Sequence, residues 1–137
     1  LRLALQRLGK EATVICQDKV PNMLSFLPGA DSILRPEKLN VAHPELALCV
    51  DVSDQRRLGS CIRVVDAARE TAQIDHHGTN PYYTQTNVVA ANASATGVLV
   101  WELIKQMGVT IDTDIAKCLY TAVRAISASA IPRWRLS

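Results

Sequence analysis

Aromatic side chains are scarce in this chain of 137 residues: two Trp, three Tyr and one Phe, or 4%. A stacking platform for single-stranded nucleic acid needs several exposed rings, so this composition argues against one. No apolar run approaches the ~20 residues needed to span a bilayer, and no signal-peptide pattern is visible. Neither sign of charge dominates. The 15 basic and 13 acidic residues leave a formal charge of +2, and the basic residues are dispersed apart from Arg56, Arg57 and the C-terminal tail. Composition therefore points to neither nucleic acid nor an anionic membrane. The four cysteines, Cys16, Cys49, Cys61 and Cys118, form no Cys-x-x-Cys pair. Cys16 and Cys49 lie in apolar runs, where a free thiol acts as a small hydrophobe, and a reducing cytoplasm is the expected compartment. There is no internal repeat and no low-complexity linker. An initiator Met is also lacking: the chain opens at Leu1 inside a helical pattern and reads as a fragment.

What is present describes one α/β domain. Apolar residues make up 48% and charged residues 20%, as in ordinary soluble domains, and a chain near this length buries about 70% of its unfolded surface. Leu1, Ala4, Leu5 and Leu8 repeat at helical spacing before Gly9, a C-terminal cap. Residues 12–17 form a short β-branched run of strand type. Residues 21–44 contain five Pro or Gly positions, Pro21, Pro28, Gly29, Pro36 and Pro44, and read as a long connection with one helical turn. Residues 46–51 are apolar until Asp51, as in a strand covered on both faces. Asp54 can cap a helix striped by Leu58, Cys61, Ile62 and Val65, which leads to a strand over residues 71–75. After a less regular stretch, Val100, Leu103, Ile104 and Met107 mark a helix stopped at Gly108. Ile115, Cys118, Leu119, Ala122 and Val123 mark another, started near Asp112. This alternation predicts a three-layer α/β fold, a mainly parallel sheet flanked by helices.

In open parallel sheets, ligands bind beyond the carboxyl ends of the strands. Two strands deliver candidate ligands there: "LALCVDVSD" brings Asp51, and "AQIDHH" brings Asp75, His76 and His77. Mixed carboxylate and imidazole donors suit Mn²⁺, Fe²⁺, Co²⁺ or Zn²⁺ better than Ca²⁺ or Mg²⁺. Neighbouring side chains on an extended strand point to opposite faces, so His76 and His77 can share an ion only if the backbone turns between them. Gly78 is placed to allow that turn. Structural roles compete with this reading: a hydrogen-bonded His pair in a loop, and Asp51 as a helix cap. Asp54 reads as a cap, Asp66 as part of a solvated helix face, and His43, beside Pro44, as a surface residue. Two acid-bearing strand ends, one with paired histidines, tip the balance to a metal site.

"IDHHGTN" resembles the Asp-His-His signature of the DHH phosphoesterases, which include RecJ-type exonucleases, family II inorganic pyrophosphatases and small oligoribonucleases that also dephosphorylate phosphoadenosine phosphate. "VPNMLSFLPGADSI", "LCVDVSDQRRLG" and "NASATGVLVWELIKQMGVTIDTDIAKCLYTAV" match in the order and spacing of the oligoribonuclease-like branch. The resemblance covers residues 1–123 and implies a partial DHH catalytic domain, incomplete at both ends. It implies that Asp51 bridges two Mn²⁺-type ions and that His76 ligates one of them. Asp75 would then orient a histidine, and His77 would face the scissile phosphate. Arg56 and Arg57 read first as a solvated helix start, with contact to an anionic substrate as the other option.

The family pattern further includes an upstream His-x-x-x-Asp-x-Asp strand end, a later Asp-Thr-Gly followed by an aromatic-Arg-aromatic-Ser strand, and a C-terminal substrate-binding domain, none of which stands in these residues. Residues 124–137 form instead a basic tail without an acidic residue. One reading of it is a frame-shifted translation, because regrouped codons over residues 125–131 permit Asp-Phe-Gly-Phe-Arg-Tyr-Ser. The other is a short basic tail in which Trp134 packs locally or not at all. The implied parent is a cytoplasmic, two-metal phosphoesterase acting on short oligoribonucleotides or phosphoadenosine phosphate-type nucleotides, with no membrane partner and with homodimerisation as an option. The isolated chain, with two of the implied ligands, is expected to bind metal weakly and to hydrolyse little. A nucleotide-binding relative without catalysis and a family II pyrophosphatase fragment are the alternatives.

Overall fold

Residues 46–50 form a strand as their apolar run predicts, and its alternating side chains enter two different cores. This strand, β1 (Leu46–Val50), turns Leu48 toward a cluster of Ala4, Ile74, Val100, Ile104, Val109 and Ile115. Ala47 and Cys49 turn the other way, to Leu58, Cys61 and Val65. A strand whose two faces are both covered is the hallmark of a sheet sandwiched between helices. The computed structural model describes residues 1–129, with side chains described through Arg124.

The second strand, β2 (Glu70–Asp75), runs parallel to β1, with Cys49 opposite Gln73 and Val50 opposite Ile74. A third strand, β3 (Thr86–Val89), extends the sheet in parallel, with Ala72 opposite Thr86 and Asp75 opposite Val89. The sheet order is β1-β2-β3. β3 lies in the stretch that sequence patterning leaves irregular. It is four residues long and begins Thr-Asn, so no apolar run marks it. Pairing with β2 holds it instead, helped by a side-chain bond from Gln73 to Asn87, while Asn87 Nδ2 donates locally to Thr84 O at 2.7 Å.

The strand predicted over residues 12–17 is reduced to a single parallel bridge between Ile15 and Leu34. Two backbone bonds support it, Cys16 N to Leu34 O at 3.0 Å and Leu34 N to Val14 O at 2.9 Å. Ile15 packs on the second core, whereas Val14 and Cys16 are exposed. Cys16 therefore departs from its expected role as a small core hydrophobe, while Cys49 is buried as anticipated. The long connection that follows holds three 3₁₀ turns rather than one: Asn22–Leu24, Ala30–Ser32 and Pro36–Lys38.

The helices follow their stripes and caps. The first, α1 (Arg2–Arg7), is followed by Gly9 at φ 72°. Asp54 caps as predicted, accepting from Arg56 N at 2.8 Å. The helix it starts is broken, however, into a 3₁₀ run (Gln55–Cys61) and a short α2 (Ile62–Asp66). Gly59 makes the break at φ 51°, ψ −130°. A Cβ there would collide with the Gln17 side chain, whose Oε1 accepts from Ser60 N at 2.8 Å. The stripe was legible; the intruding side chain, 43 residues away in the chain, was not.

The helix α3 (Thr96–Gln106) supplies Val100 and Ile104 to the first core and ends before Gly108, at φ 71°. Ile104 is completely buried; its truncation to Ala costs roughly 2–5 kcal/mol in a close-packed core. The last helix, α4 (Thr113–Ser129), is capped by Asp112, which accepts from Ile115 N at 2.9 Å and from Arg7 Nη2 at 2.7 Å. The helix continues to Ser129, six residues past the predicted Val123. Residues 130–137, with Trp134, lie outside the described residues, and so does the end of the segment on which the frame-shift reading rests. Gly97 lets α3 and α4 touch closely, since a Cβ there would lie 3.2 Å from both Ala122 Cβ and Val123 Cγ2.

Candidate metal centre

The chain leaves β1 through Asp51, a non-glycine residue in the left-handed region at φ 61°. Such a conformation is uncommon, and Asp tolerates it better than most residues. Its backbone N–H still bonds to Ile74 O of β2 at 2.9 Å, so the turn is tied to the sheet. The Asp51 carboxylate is about half exposed, with Oδ1 accepting from Thr96 Oγ1 at 2.7 Å. A β1 strand end and the first turn of α3 thus meet at one carboxylate.

β2 ends at Asp75, so His76 and His77 escape the alternation of an extended strand. Gly78 is not the residue that permits this. Its φ lies outside the left-handed region, where only Gly9, Gly29, Gly59 and Gly108 among the glycines are found within the described residues. The departure from the strand is stabilised instead by Asn80 N, which donates to His77 O at 3.1 Å. The two imidazoles stand 4.6 Å apart, centre to centre, and inclined by 58°.

Hydrogen bonds assign the ring nitrogens. His76 Nδ1 lies 3.3 Å from Ala93 O, and a carbonyl can only accept, so Nδ1 carries the proton. Nε2 then faces Asp51 Oδ1 at 3.7 Å. His77 Nδ1 lies 2.8 Å from Asp75 Oδ1. Burial alone drives the Asp75 carboxyl up; hydrogen bonds from Asn80, His77 and the His76 backbone outweigh it and hold it below the usual carboxylate range. Asp75 is ionised at neutral pH, His77 Nδ1 donates to it, and Nε2 is again the free nitrogen. One ligand atom from each of Asp51, His76 and His77 falls within 4.8 Å of the others. Two imidazole nitrogens and a carboxylate oxygen form a set that fits a borderline divalent cation.

Behind the histidines lies a closed polar network. Asp75 is fully buried. Its Oδ2 accepts from Asn80 Nδ2 at 2.7 Å, and the same amide donates to Gln73 Oε1 at 2.8 Å. Asn80 Oδ1 accepts from Tyr82 N at 2.8 Å. Among the described residues no buried side-chain nitrogen or oxygen lacks a partner. A buried carboxylate is costly unless bonded in this way.

Tyr83 ties the loops together, its hydroxyl donating to Val52 O at 3.0 Å. Beside the cluster an open groove of about 590 Å³ is lined by Ser53, Asp54, Arg56, Arg57 and Thr79, from the loops that carry Asp51 and His77. Arg56 is spent on Asp54, at 2.6 Å, and its guanidinium holds the Asp54 carboxyl down at about 2. Arg57 makes no ion pair among the described residues. His43 and Asp66 are exposed, as read from sequence, and are not among the three converging donors.

The structure therefore brings Asp51, His76 and His77 together, with Asp75 behind His77. Sequence reasoning did not single out Thr96, Asn80, Tyr83 or the Ala93 carbonyl. Thr96 and Ala93 lie within "NASATG" and Asn80 ends "DHHGTN", but nothing in those strings shows what they touch.

A parallel α/β sheet with a His/Asp cluster at its carboxyl edge defines a class of α/β proteins with a candidate metal centre, and comparison with known proteins narrows it. No protein-family model matches the chain. Over 121 residues it is 34% identical to the bifunctional oligoribonuclease and PAP phosphatase NrnA of Thermus thermophilus, covering 88% of this chain and 35% of that protein. Over 78 residues it is 32% identical to an uncharacterized protein of Mycoplasma genitalium, covering 57% of this chain and 24% of that one. The fold matches the crystal structure of an exopolyphosphatase-related protein from Bacteroides fragilis with a TM-score of 0.79 at 23% identity, over 91% of this chain and 39% of that one. The chain thus spans a quarter to two fifths of the length of these proteins. The sequence likeness supports a DHH-like family and leaves its branch open, and the solved structure shares the fold.

Proposed function

We propose that this chain carries part of the catalytic centre of a DHH-type phosphoesterase, with Asp51 and His76 as ligands of Mn²⁺-type cations. His77, backed by Asp75, faces the phosphate in this reading. The observation that carries it is the convergence of Asp51, His76 and His77 within 4.8 Å at the carboxyl edge of the sheet, with both imidazoles presenting Nε2. Two bound divalent cations would supply a water of lowered pKa and neutralise phosphate oxygens in the transition state.

The protein groups have separate tasks. Ala93 O holds the His76 tautomer, so its Nε2 lone pair is available without a rotation. Asp75 does the same for His77, accepting from Nδ1 and leaving Nε2 as the free nitrogen. The groove beside the cluster offers Arg57, Ser53 and Thr79 to the remainder of a polyanionic substrate. The name of the Thermus relative supports a short oligoribonucleotide or a phosphoadenosine phosphate-type nucleotide as that substrate.

Calorimetric titration of the chain with Mn²⁺, beside its Asp51→Ala and His76→Ala variants, tests the reading. Binding by the native chain that disappears in both variants is expected. Native binding that survives in both would move the metal elsewhere, and tight nucleotide binding unaffected by a chelator would favour a non-catalytic nucleotide binder.

A further inference from the structure

From the geometry around Asp51 we infer that Thr96 is a positioning residue for the metal centre: its hydroxyl holds the Asp51 carboxylate in the ligating orientation before a cation arrives. The inference rests on the metal reading above and assigns the site a residue that touches neither cation nor substrate.

Asp51 needs such a partner. Its side chain is 48% exposed and leaves the backbone from a left-handed turn, so without a tether the carboxylate would rotate freely in water. The contact that stops it is the bond from Thr96 Oγ1 to Oδ1 at 2.7 Å, across 45 residues of chain. A hydroxyl donating to a carboxylate is charge-assisted and about twice as strong as a neutral pair.

Thr96 is suited to act as the fixed member. It is 2% exposed and opens α3, whose core residues Val100 and Ile104 lock the helix to the sheet. Gly97, the next residue, seats the same turn against Ala122 and Val123 of α4. β-Branching leaves Thr few rotamers. The N-cap position of α3 is Ala95, which offers no side-chain cap, and the Thr96 hydroxyl makes no other hydrogen bond among the described residues. Its single polar function is directed at Asp51, on a rigid element, as a preorganised site requires. Oδ2 of Asp51 keeps its lone pairs uncommitted among the described residues.

The distinguishing property is that the bond matters for the metal and little for the fold. When the hydroxyl is lost, water can solvate a half-exposed carboxylate, so stability barely changes. Metal affinity falls because each ion must then select one carboxylate orientation from several. Loss of an outer hydrogen-bond partner of a metal ligand typically weakens binding by ~10–100-fold.

The experiment is Mn²⁺ titration by calorimetry, with metal-free thermal unfolding in parallel, on the full chain and on Thr96→Val, Thr96→Ser and Thr96→Ala. About 10-fold or greater weakening in Thr96→Val and Thr96→Ala, near-native affinity in Thr96→Ser and little change in metal-free unfolding are expected. Equal Mn²⁺ affinity in Thr96→Ser and Thr96→Ala overturns the role, and this comparison serves even if Thr96→Val does not fold. Native-like affinity in all three, with native binding abolished by Asp51→Ala, overturns the Thr96 role alone. Absence of Mn²⁺ binding by the native chain overturns the metal reading and the Thr96 role together.

Discussion

The buried carboxylate of Asp75 and Nδ1 of His77 lie 2.8 Å apart, while the other carboxylate oxygen accepts from Asn80 Nδ2 at 2.7 Å. Asp75 therefore receives two side-chain donors and itself donates nothing. Replacing it by Asn offers an NH₂ where one of those partners also holds a hydrogen. The pairing with Asn80, itself bonded to Gln73, is the more buried of the two, so the new NH₂ should turn to His77 and drive its proton from Nδ1 to Nε2. Asp75→Asn should thus show the opposite His77 tautomer in ¹⁵N NMR, with lower thermal stability. An unchanged tautomer would mean that Asp75 does not set it.

A second prediction concerns acid stability. Arg56 holds the Asp54 carboxyl at about 2, below its ordinary 3.8. A depressed folded pKa stabilises above the unfolded value and is lost as pH falls through the folded one. The contribution is therefore complete above about pH 5 and disappears between there and pH 2. Unfolding of the metal-free chain and of Asp54→Asn should be followed from pH 7 to pH 2. The difference between them should shrink across that window, since Asp75 and Asp112, also shifted down, contribute equally to both. A difference independent of pH would refute the Asp54–Arg56 assignment. The magnitude will be small because the Asp54–Arg56 pair is exposed to solvent and screened.

A third prediction links packing to the site. A Cβ at position 97 would press on Ala122 and Val123 at 3.2 Å, and overpacking of this kind costs roughly 1–3 kcal/mol. Relief requires α3 to move from α4, carrying Thr96 with it. Gly97→Ala should therefore lower the melting temperature and also weaken Mn²⁺ binding. Ile104→Ala, which leaves a cavity instead of a wedge, should lower stability by about 2–5 kcal/mol. If Gly97→Ala loses stability while its Mn²⁺ affinity stays native, α3 does not transmit the strain to the site.

These relationships also show which parts of the molecule a sequence can report. β1 was legible because it is an apolar run ended by a carboxylate, β2 because a striped helix returns the chain to a short segment ending in Asp75, and α3 and α4 because apolar stripes are bounded by Gly108 and Asp112. Those signals are local. β3 was not legible, since what holds Thr86–Val89 is its pairing with β2 and a side-chain bond between Gln73 and Asn87, both non-local. Residues 12–17 have strand composition, yet Ile15 finds only Leu34 as a bridge partner. At the site, the identities of Asp51, Asp75, His76 and His77 could be read. Their arrangement could not, because it depends on a left-handed Asp51, on Ala93 O and on Thr96, contacts spanning 17 to 45 residues.

A cation that binds only the folded chain must stabilise it, and this supplies a test independent of heat signals. For one site, the gain is RT ln(1 + [L]/Kd), or about 2.7 kcal/mol at a ligand concentration 100 times Kd. Mn²⁺ should raise the melting temperature progressively with concentration, and EDTA should return it to the metal-free value. Asp51→Ala and His76→Ala remove two of the three converging donors, so their melting temperatures should not respond to Mn²⁺. His77→Ala separates two arrangements of the same cluster. If His77 faces the phosphate, this variant keeps most of the Mn²⁺ response; if its Nε2 holds the ion, the response is lost as in the other two. A melting temperature that rises equally in native chain and all three variants would place the stabilising ion away from the carboxyl edge of the sheet.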